Sequence, residues 1–310
     1  MSQASGVSSL IGSSPRTAWS RRSRASRSDP DAATGVGSPG LGGLTTLYGA
    51  ALGRLRASAR LRRSLVLWTV LGLVLGEALT ADVALVHDHG TLVLALVATA
   101  IWWVLVTIGV IGGAALLRTP DGTQVDRYGI PNGLTALRGY ACVPVLLMGT
   151  LSLPGRLGLA LWGSIGGSVG LLDAVDGFIA RRYGPVTVLG KAMDPFGDAL
   201  YFVVGAIGSW ALGIVPLWLA VLIVARYSGP VVLTPIVLLT GRRPELVYTV
   251  WGRRNTMLIG MVLFILYWVR LFGGPVDILA LILALPTLVP TALLHFAALF
   301  QRVAASPRAR

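Results

Sequence analysis

From about Ser64 onward the chain alternates long, nearly unbroken apolar stretches with short connections rich in Gly, Pro and Arg. A run of about 20 apolar residues matches the hydrocarbon thickness of a bilayer. The stretches predict eight helices, over residues 64–86, 92–117, 132–152, 157–180, 190–212, 216–240, 255–272 and 277–301. Residues 1–45 differ: Ser, Arg, Gly and Ala with few large apolar side chains, a composition that predicts a disordered tail. The first long apolar run lies too far behind the first charges for a secretory signal. An Arg-rich, Ser-rich, acid-poor tail is also compatible with an organellar transit peptide. Arg54, Arg56, Arg60, Arg62 and Arg63 then form a basic stretch, expected at the interface where the first span begins. The fold class expected is an all-α, polytopic transmembrane helix bundle.

Composition excludes the alternatives. Of the residues 54% are hydrophobic and 13% charged, with a mean hydropathy of +0.74, whereas soluble domains carry about 25% charged residues. Cys142 is the one cysteine, so neither an intrachain disulfide nor a thiolate metal site is available. The net charge of +13 resembles a nucleic-acid signal only until it is located: residues 1–63 hold ten Arg against Asp29 and Asp31. That distribution suits anionic lipid rather than nucleic acid. The remaining basic residues also sort by side. Arg118, Arg127, Arg181 to Lys191, Arg242 to Arg254 and Arg302 to Arg310 share a side with the tail, and the other side holds Arg156 and Arg270. Both termini are therefore expected in the cytoplasm of a bacterial cell membrane protein.

Four of the thirteen acids lie in the stretch DAVDGFIARRYGPVTVLGKAMDPFGD, flanked by apolar helix. Carboxylates at membrane depth are costly unless they face protein, metal or water, which makes the cluster a candidate functional site. Asp173 and Asp176 are three apart and Asp194 and Asp198 four apart, so each pair shares one helix face. Tyr183, Gly184 and Pro185 break the chain between the pairs and allow the two helices to run side by side. Four oxygen donors without Cys or His suit Mg²⁺ or Mn²⁺ rather than zinc. Gly177 leaves the surface open beside Asp176, Ala180 keeps that face shallow, Arg181 offers a fork to phosphate oxygens, and Gly190 lies one turn before Asp194. The bland alternative is a solvated acidic face paired with Arg181, Arg182 and Lys191.

The order D-x-x-D-G-x-x-A-R, eight residues, then G-x-x-x-D-x-x-x-D is filled by Asp173, Asp176, Gly177, Ala180, Arg181, Gly190, Asp194 and Asp198. It resembles the signature of the CDP-alcohol phosphatidyltransferase family. The segment IPNGLTALR, with Pro131, Asn132, Thr135 and Arg138, looks like the family's opening of its first core helix. WGRRNT resembles its G-K-x-x-T element, with Arg253 where Lys is usual. Ala199 follows Asp198 where many relatives carry Lys or Arg.

The resemblance implies a six-helix catalytic core over 128–302, preceded by the tail (1–45) and by a basic interfacial segment with two further spans (46–127), and followed by a basic C-terminal tail (303–310). It implies a metal-dependent enzyme that moves a phosphatidyl group from a CDP-linked lipid such as CDP-diacylglycerol to an alcohol and releases CMP. By that analogy Asp173, Asp176, Asp194 and Asp198 hold one or two Mg²⁺ or Mn²⁺ ions, and Asp198 is the general base. Gly177, Ala180 and Arg181 would receive the CDP donor, with Asn132 and Thr135 as further nucleotide contacts.

Arg226 lies within an apolar span and needs an anionic partner, either a phosphate on the acceptor or one of the site acids. As a ligand for phosphate it points to a polyol phosphate acceptor, glycerol 3-phosphate or an inositol phosphate. Tyr183, Tyr201, Tyr227 and Trp251 offer the alternative of an aromatic cage for a choline-like cation. His87, His89, His295 and Glu77 are read as structural, and the first two spans as anchors or as a homodimer surface. The rival classes are an ion-coupled transporter, which would show an internal repeat that this chain lacks, and a catalytically inactive lipid-binding relative.

Overall fold

The computed structural model of the chain describes residues 41–81, 87–151, 155–183, 187–239 and 250–306. Within α5, side chains are described only outside residues 171–174, 176, 177, 179–181 and 183. The described residues form nine α-helices: α1 Leu41–Ala57, α2 Ala59–Thr80, α3 His89–Gly113, α4 Ile130–Thr150, α5 Gly155–Tyr183, α6 Val188–Ala211, α7 Leu217–Leu239, α8 Val250–Leu271 and α9 Val276–Ala305. Among the described residues there is no strand. Helices α2, α3, α4, α8 and α9 are each long and apolar enough to cross a membrane, as befits an integral membrane protein of the all-α polytopic class. A shorter apolar stretch, Leu217–Leu233, lies in α7. Helix α6 begins polar, with Lys191, Asp194 and Asp198 in its first half, and becomes apolar beyond them.

Each of the eight expected helices has a counterpart, and α1 is additional. It starts at Leu41, inside the stretch expected to be a tail to residue 45. Its sequence, LGGLTTLYGAALGRLRA, carries four glycines and no apolar run, so hydropathy alone gives no sign of it. Tertiary contacts supply what propensity does not. The Tyr48 ring lies on Gly112, its hydroxyl donates to the Ile108 carbonyl at 3.0 Å, and Ala51 is fully buried. Ser58 separates α1 from α2 and caps α2 by accepting from the Leu61 amide at 3.2 Å.

The first two spans pack on α4, the first helix of the core. Gly72 lies flat beneath the Tyr140 ring and Gly133 beneath the Trp68 indole, approaches that a Cβ would forbid. Polar ties reinforce them: Trp102 donates to the Gly139 carbonyl at 2.9 Å, and the Thr107 and Tyr140 hydroxyls meet at 3.0 Å. Between α2 and α3, Trp103 donates to the Thr69 carbonyl at 2.7 Å and Thr80 meets Thr99 at 2.7 Å. In hydrocarbon such bonds face no competition from water.

Deeper in the core, Trp162 of α5 wedges against Gly149 of α4 and Gly208 of α6. Helix α9 presents Ala280, Ala284, Leu288 and Ala292, all buried and four residues apart, along one face. Asn255 of α8 ties to α9 by donating to the Leu288 carbonyl at 3.1 Å and to Thr291 at 2.7 Å. An apolar cavity of about 550 Å³, lined in part by Cys142, Trp162, Tyr201, Phe202 and Tyr267, lies between α4, α5, α6 and α8.

Candidate active site

The acid-bearing part of α6 is set by its first turn. Thr187 is the N-cap: its hydroxyl oxygen accepts from the Gly190 amide at 3.0 Å and itself donates to Asn132 Oδ1 at 3.0 Å. The other end of that amide, Asn132 Nδ2, donates to the Tyr128 carbonyl at 2.9 Å. Asn132, expected to contact nucleotide, is thus buried with both ends of its amide engaged in joining α4 to α6. Gly190 fits the same junction, because a Cβ there would come within 3.2 Å of Asn132 Oδ1 and 3.4 Å of the Thr187 hydroxyl. Thr135 is buried one turn on and donates to the Pro131 carbonyl at 3.1 Å.

Asp194 is exposed and Asp198, one turn further along α6, has 34% of its side chain exposed. Arg138 of α4, almost wholly buried, approaches Asp198 with Nη2 at 3.4 Å from Oδ1. A half-open carboxylate against a buried guanidinium is held on one side and reachable from the other. Gly197 makes the approach possible: a Cβ there would lie 2.6 Å from Arg138 Nη2. Pro195 follows Asp194 within the helix, and since proline has no amide, the carbonyl four residues back, at Lys191, is left without its intrahelical donor. Among the described residues no third carboxylate, His or Cys joins Asp194 and Asp198.

The other half of the set lies on α5, whose backbone is helical through Asp173, Asp176, Gly177, Ala180 and Arg181. Their side chains fall outside the described residues, as do Gly184 and Pro185 of the expected break.

Arg226 of α7 is 7% exposed. It donates to the Gly252 carbonyl of α8 at 3.4 Å and stands 5.1 Å from the Tyr227 ring centre. Tyr227 in turn donates to Thr256 at 2.9 Å, so the WGRRNT segment is bound to α7 through both of its matched positions. Tyr227 stacks on Phe202 with centroids 4.4 Å apart, Tyr201 donates to the Gly166 carbonyl at 3.2 Å, and Trp251 carries Arg254. Those three aromatics are committed to separate contacts rather than gathered around one cation. His87 meets the Leu151 carbonyl at 3.2 Å, and His295 is buried in α9.

In the sequence Arg138 stands only as part of an opening segment, and no motif marks Thr187 or Gly197. Arg138 was open to discovery by the argument used for Arg226, since an arginine in an apolar helix needs a partner. Gly197 carries its signal only once Arg138 is known to face it.

Comparison with known proteins shows the family. The family model for CDP-alcohol phosphatidyltransferases matches residues 128–297. A probable phosphatidylglycerophosphate synthase of Mycobacterium tuberculosis, strains CDC 1551 and H37Rv alike, is 31% identical over 156 residues, which is 49% of this chain and 71% of that protein. A cardiolipin synthase (CMP-forming) of Streptomyces coelicolor is 35% identical over 75 residues, 24% of this chain and 35% of its own length. No solved structure matches the chain.

Proposed function

Because this chain belongs to the CDP-alcohol phosphatidyltransferase family, we propose that it transfers a phosphatidyl group from CDP-diacylglycerol to a polyol phosphate, glycerol 3-phosphate or an inositol phosphate, and releases CMP. The observation that carries this reading is the face of α6 on which Asp194 and Asp198 stand one turn apart, with Arg138 held against Asp198. The phosphatidylglycerophosphate synthase relatives favour glycerol 3-phosphate among the acceptors.

In the reaction the acceptor hydroxyl oxygen forms a bond to the lipid-side phosphorus of the donor, the bond from that phosphorus to the CMP oxygen breaks, and CMP leaves with the electron pair. Asp198 takes the hydroxyl proton as general base. Arg138 fixes its carboxylate from the buried side, so the open side faces the incoming alcohol. Arg181 binds pyrophosphate, and Gly177 and Ala180 make room for the cytidine. Arg226, buried beside Gly252, supplies positive charge for the acceptor phosphate.

The donor set fits a hard divalent cation. Asp194 and Asp198 present oxygen only, on one face, with Asp173 and Asp176 of α5 completing the set. Mg²⁺ or Mn²⁺ bound there would offset charge on the pyrophosphate and on departing CMP. The bias of Arg and Lys toward one side supports a cytoplasmic location for this end of the bundle and for both termini.

The test is CMP release from CDP-diacylglycerol by the purified chain in detergent with Mg²⁺ or Mn²⁺. The acceptor panel is glycerol 3-phosphate, inositol phosphate, inositol, serine and phosphatidylglycerol. Metal-dependent release with a phosphorylated polyol, and its loss by about 100-fold or more in Asp198→Asn with the protein still folded in membranes, is the expected result. Undiminished turnover in that variant would remove Asp198 from the role of base, and release only with an uncharged acceptor would remove Arg226 from its own.

A further inference from the structure

We propose that Arg54 of the appended helix α1 is a positioning residue for the active site, acting through the connection between α3 and α4 on the first turn of α6. This rests on the reading of Asp194 and Asp198 given above. The connection, residues 117–129, lies mostly outside the family match at 128–297, yet it holds the first turn of the helix that carries the two acids.

The Arg54 guanidinium donates to three backbone carbonyls: Nη1 to Ala114 at 2.6 Å and to Leu117 at 3.1 Å, and Nη2 to Val125 at 2.8 Å. It thereby staples the end of α3 to both arms of a small loop. The loop is closed internally by the Val125 amide on the Leu117 carbonyl at 3.0 Å and by the Thr119 amide on the Thr123 carbonyl at 2.9 Å. Gly122, at φ +91°, makes its turn.

The loop then exports one acceptor. The Arg118 carbonyl takes the Val188 amide at 2.8 Å. Val188 is the first residue of α6, and a first-turn amide has no acceptor within its own helix. Thr187 satisfies Gly190, so Arg118 and Thr187 each take one first-turn donor.

A second tie runs parallel. Ser64 of α2 accepts from the Tyr128 amide at 2.8 Å, and the Tyr128 carbonyl receives Asn132, which holds Thr187. The Tyr128 hydroxyl lies 3.9 Å from the Met193 sulfur, beside Asp194, and Leu189 fills the space over Gly113. From α1 and α2, therefore, two chains of hydrogen bonds end on the turn that carries Gly190, and α6 runs from there to Asp194 and Asp198. Arginine is required at position 54 because three carbonyls in different directions need a planar fork; the single ammonium of lysine cannot span them.

The experiment pairs two readouts on the full chain in lipid nanodiscs: amide hydrogen exchange, and metal titration of CMP release. In Arg54→Ala, exchange at Val188 to Gly190 should rise about fivefold or more, the effect of losing about one hydrogen bond. Exchange in the buried parts of α7 and α8, at Leu219, Ile223 and Leu266, should stay unchanged. The metal concentration for half-maximal release should rise in parallel. Arg54→Lys should recover part of both effects, and Arg56→Ala, an exposed neighbour, should change neither. Unchanged exchange at Val188 in Arg54→Ala overturns the tie. Raised exchange with an unchanged metal response overturns its bearing on the acids. Should Arg54→Ala not fold, full activity and exchange in Arg54→Lys would overturn the need for a fork. A wild-type chain releasing no CMP would defeat the catalytic reading alone, since the exchange result still decides whether Arg54 holds the turn.

Discussion

Two buried asparagines join helices in this bundle, and they do so differently. Asn132 links α4 to α6 with both ends of its amide used, Nδ2 on Tyr128 and Oδ1 on Thr187. Asn255 links α8 to α9 by its Nδ2 alone, and its buried Oδ1 has no partner among the described residues. The first junction also carries a buried arginine against a half-open acid. The second serves an interface otherwise made of small apolar residues.

The largest effect expected from this contrast is at Arg138. Replacing it with Leu leaves Asp198 without its buried anchor, and CMP release should fall by about 100-fold, the loss that follows from misplacing a reacting group by about 1 Å. Thermal stability should fall far less, because the exposed side of Asp198 can take up water. An activity loss no greater than the stability loss would make the pair structural.

Next come the asparagines themselves, compared by unfolding in detergent. Asn132→Ala strands the Thr187 hydroxyl and the Tyr128 carbonyl and should cost about 1–3 kcal/mol. Asn255→Ala should cost about 1 kcal/mol or less, since Thr291 keeps its own bonds to the Thr287 and Leu288 carbonyls and an unmatched Oδ1 is removed with the side chain. The reverse order would end the distinction between the two junctions.

The smallest effect is electrostatic and lies in the loop behind the α4–α6 junction. The Thr119 and Thr123 hydroxyls donate to the exposed Asp121 carboxylate and hold it below the usual carboxylate range. Above its ordinary value the group is charged in both folded and unfolded chain, and the loop has the full benefit. As pH falls through the depressed folded value, the proton binds there too and the benefit is lost. Amide exchange across residues 119–123 should therefore rise over its intrinsic rate on acidification, and Asp121→Asn should remove that response.

Sequence pattern revealed what depends on period and on cost. Apolar length placed eight helices, and the expense of carboxylates at membrane depth singled out Asp194 and Asp198. Helix α1 escaped because its stability comes from Tyr48 and Ala51 resting on α3 and its neighbours rather than from its own composition. Gly197 escapes because its contact with Arg138, far away in the chain, has no period to betray it. Asn132 lies in a stretch that the sequence marks, but its bonds to the Tyr128 carbonyl and to Thr187 belong to tertiary structure and leave no trace in the pattern.

The seating of α2 and α3 on α4, by way of Trp102 to Gly139 and Thr107 to Tyr140, bears on biogenesis. A chain emerging from the ribosome presents its N-terminal elements first. The hairpin of α2 and α3 is already inserted when α4 arrives, with an indole N–H and a hydroxyl at the depth where α4 offers a glycine carbonyl and a tyrosine. The helix that carries Arg138 thereby follows the surface it packs on and precedes α6 with its acids in the order of emergence.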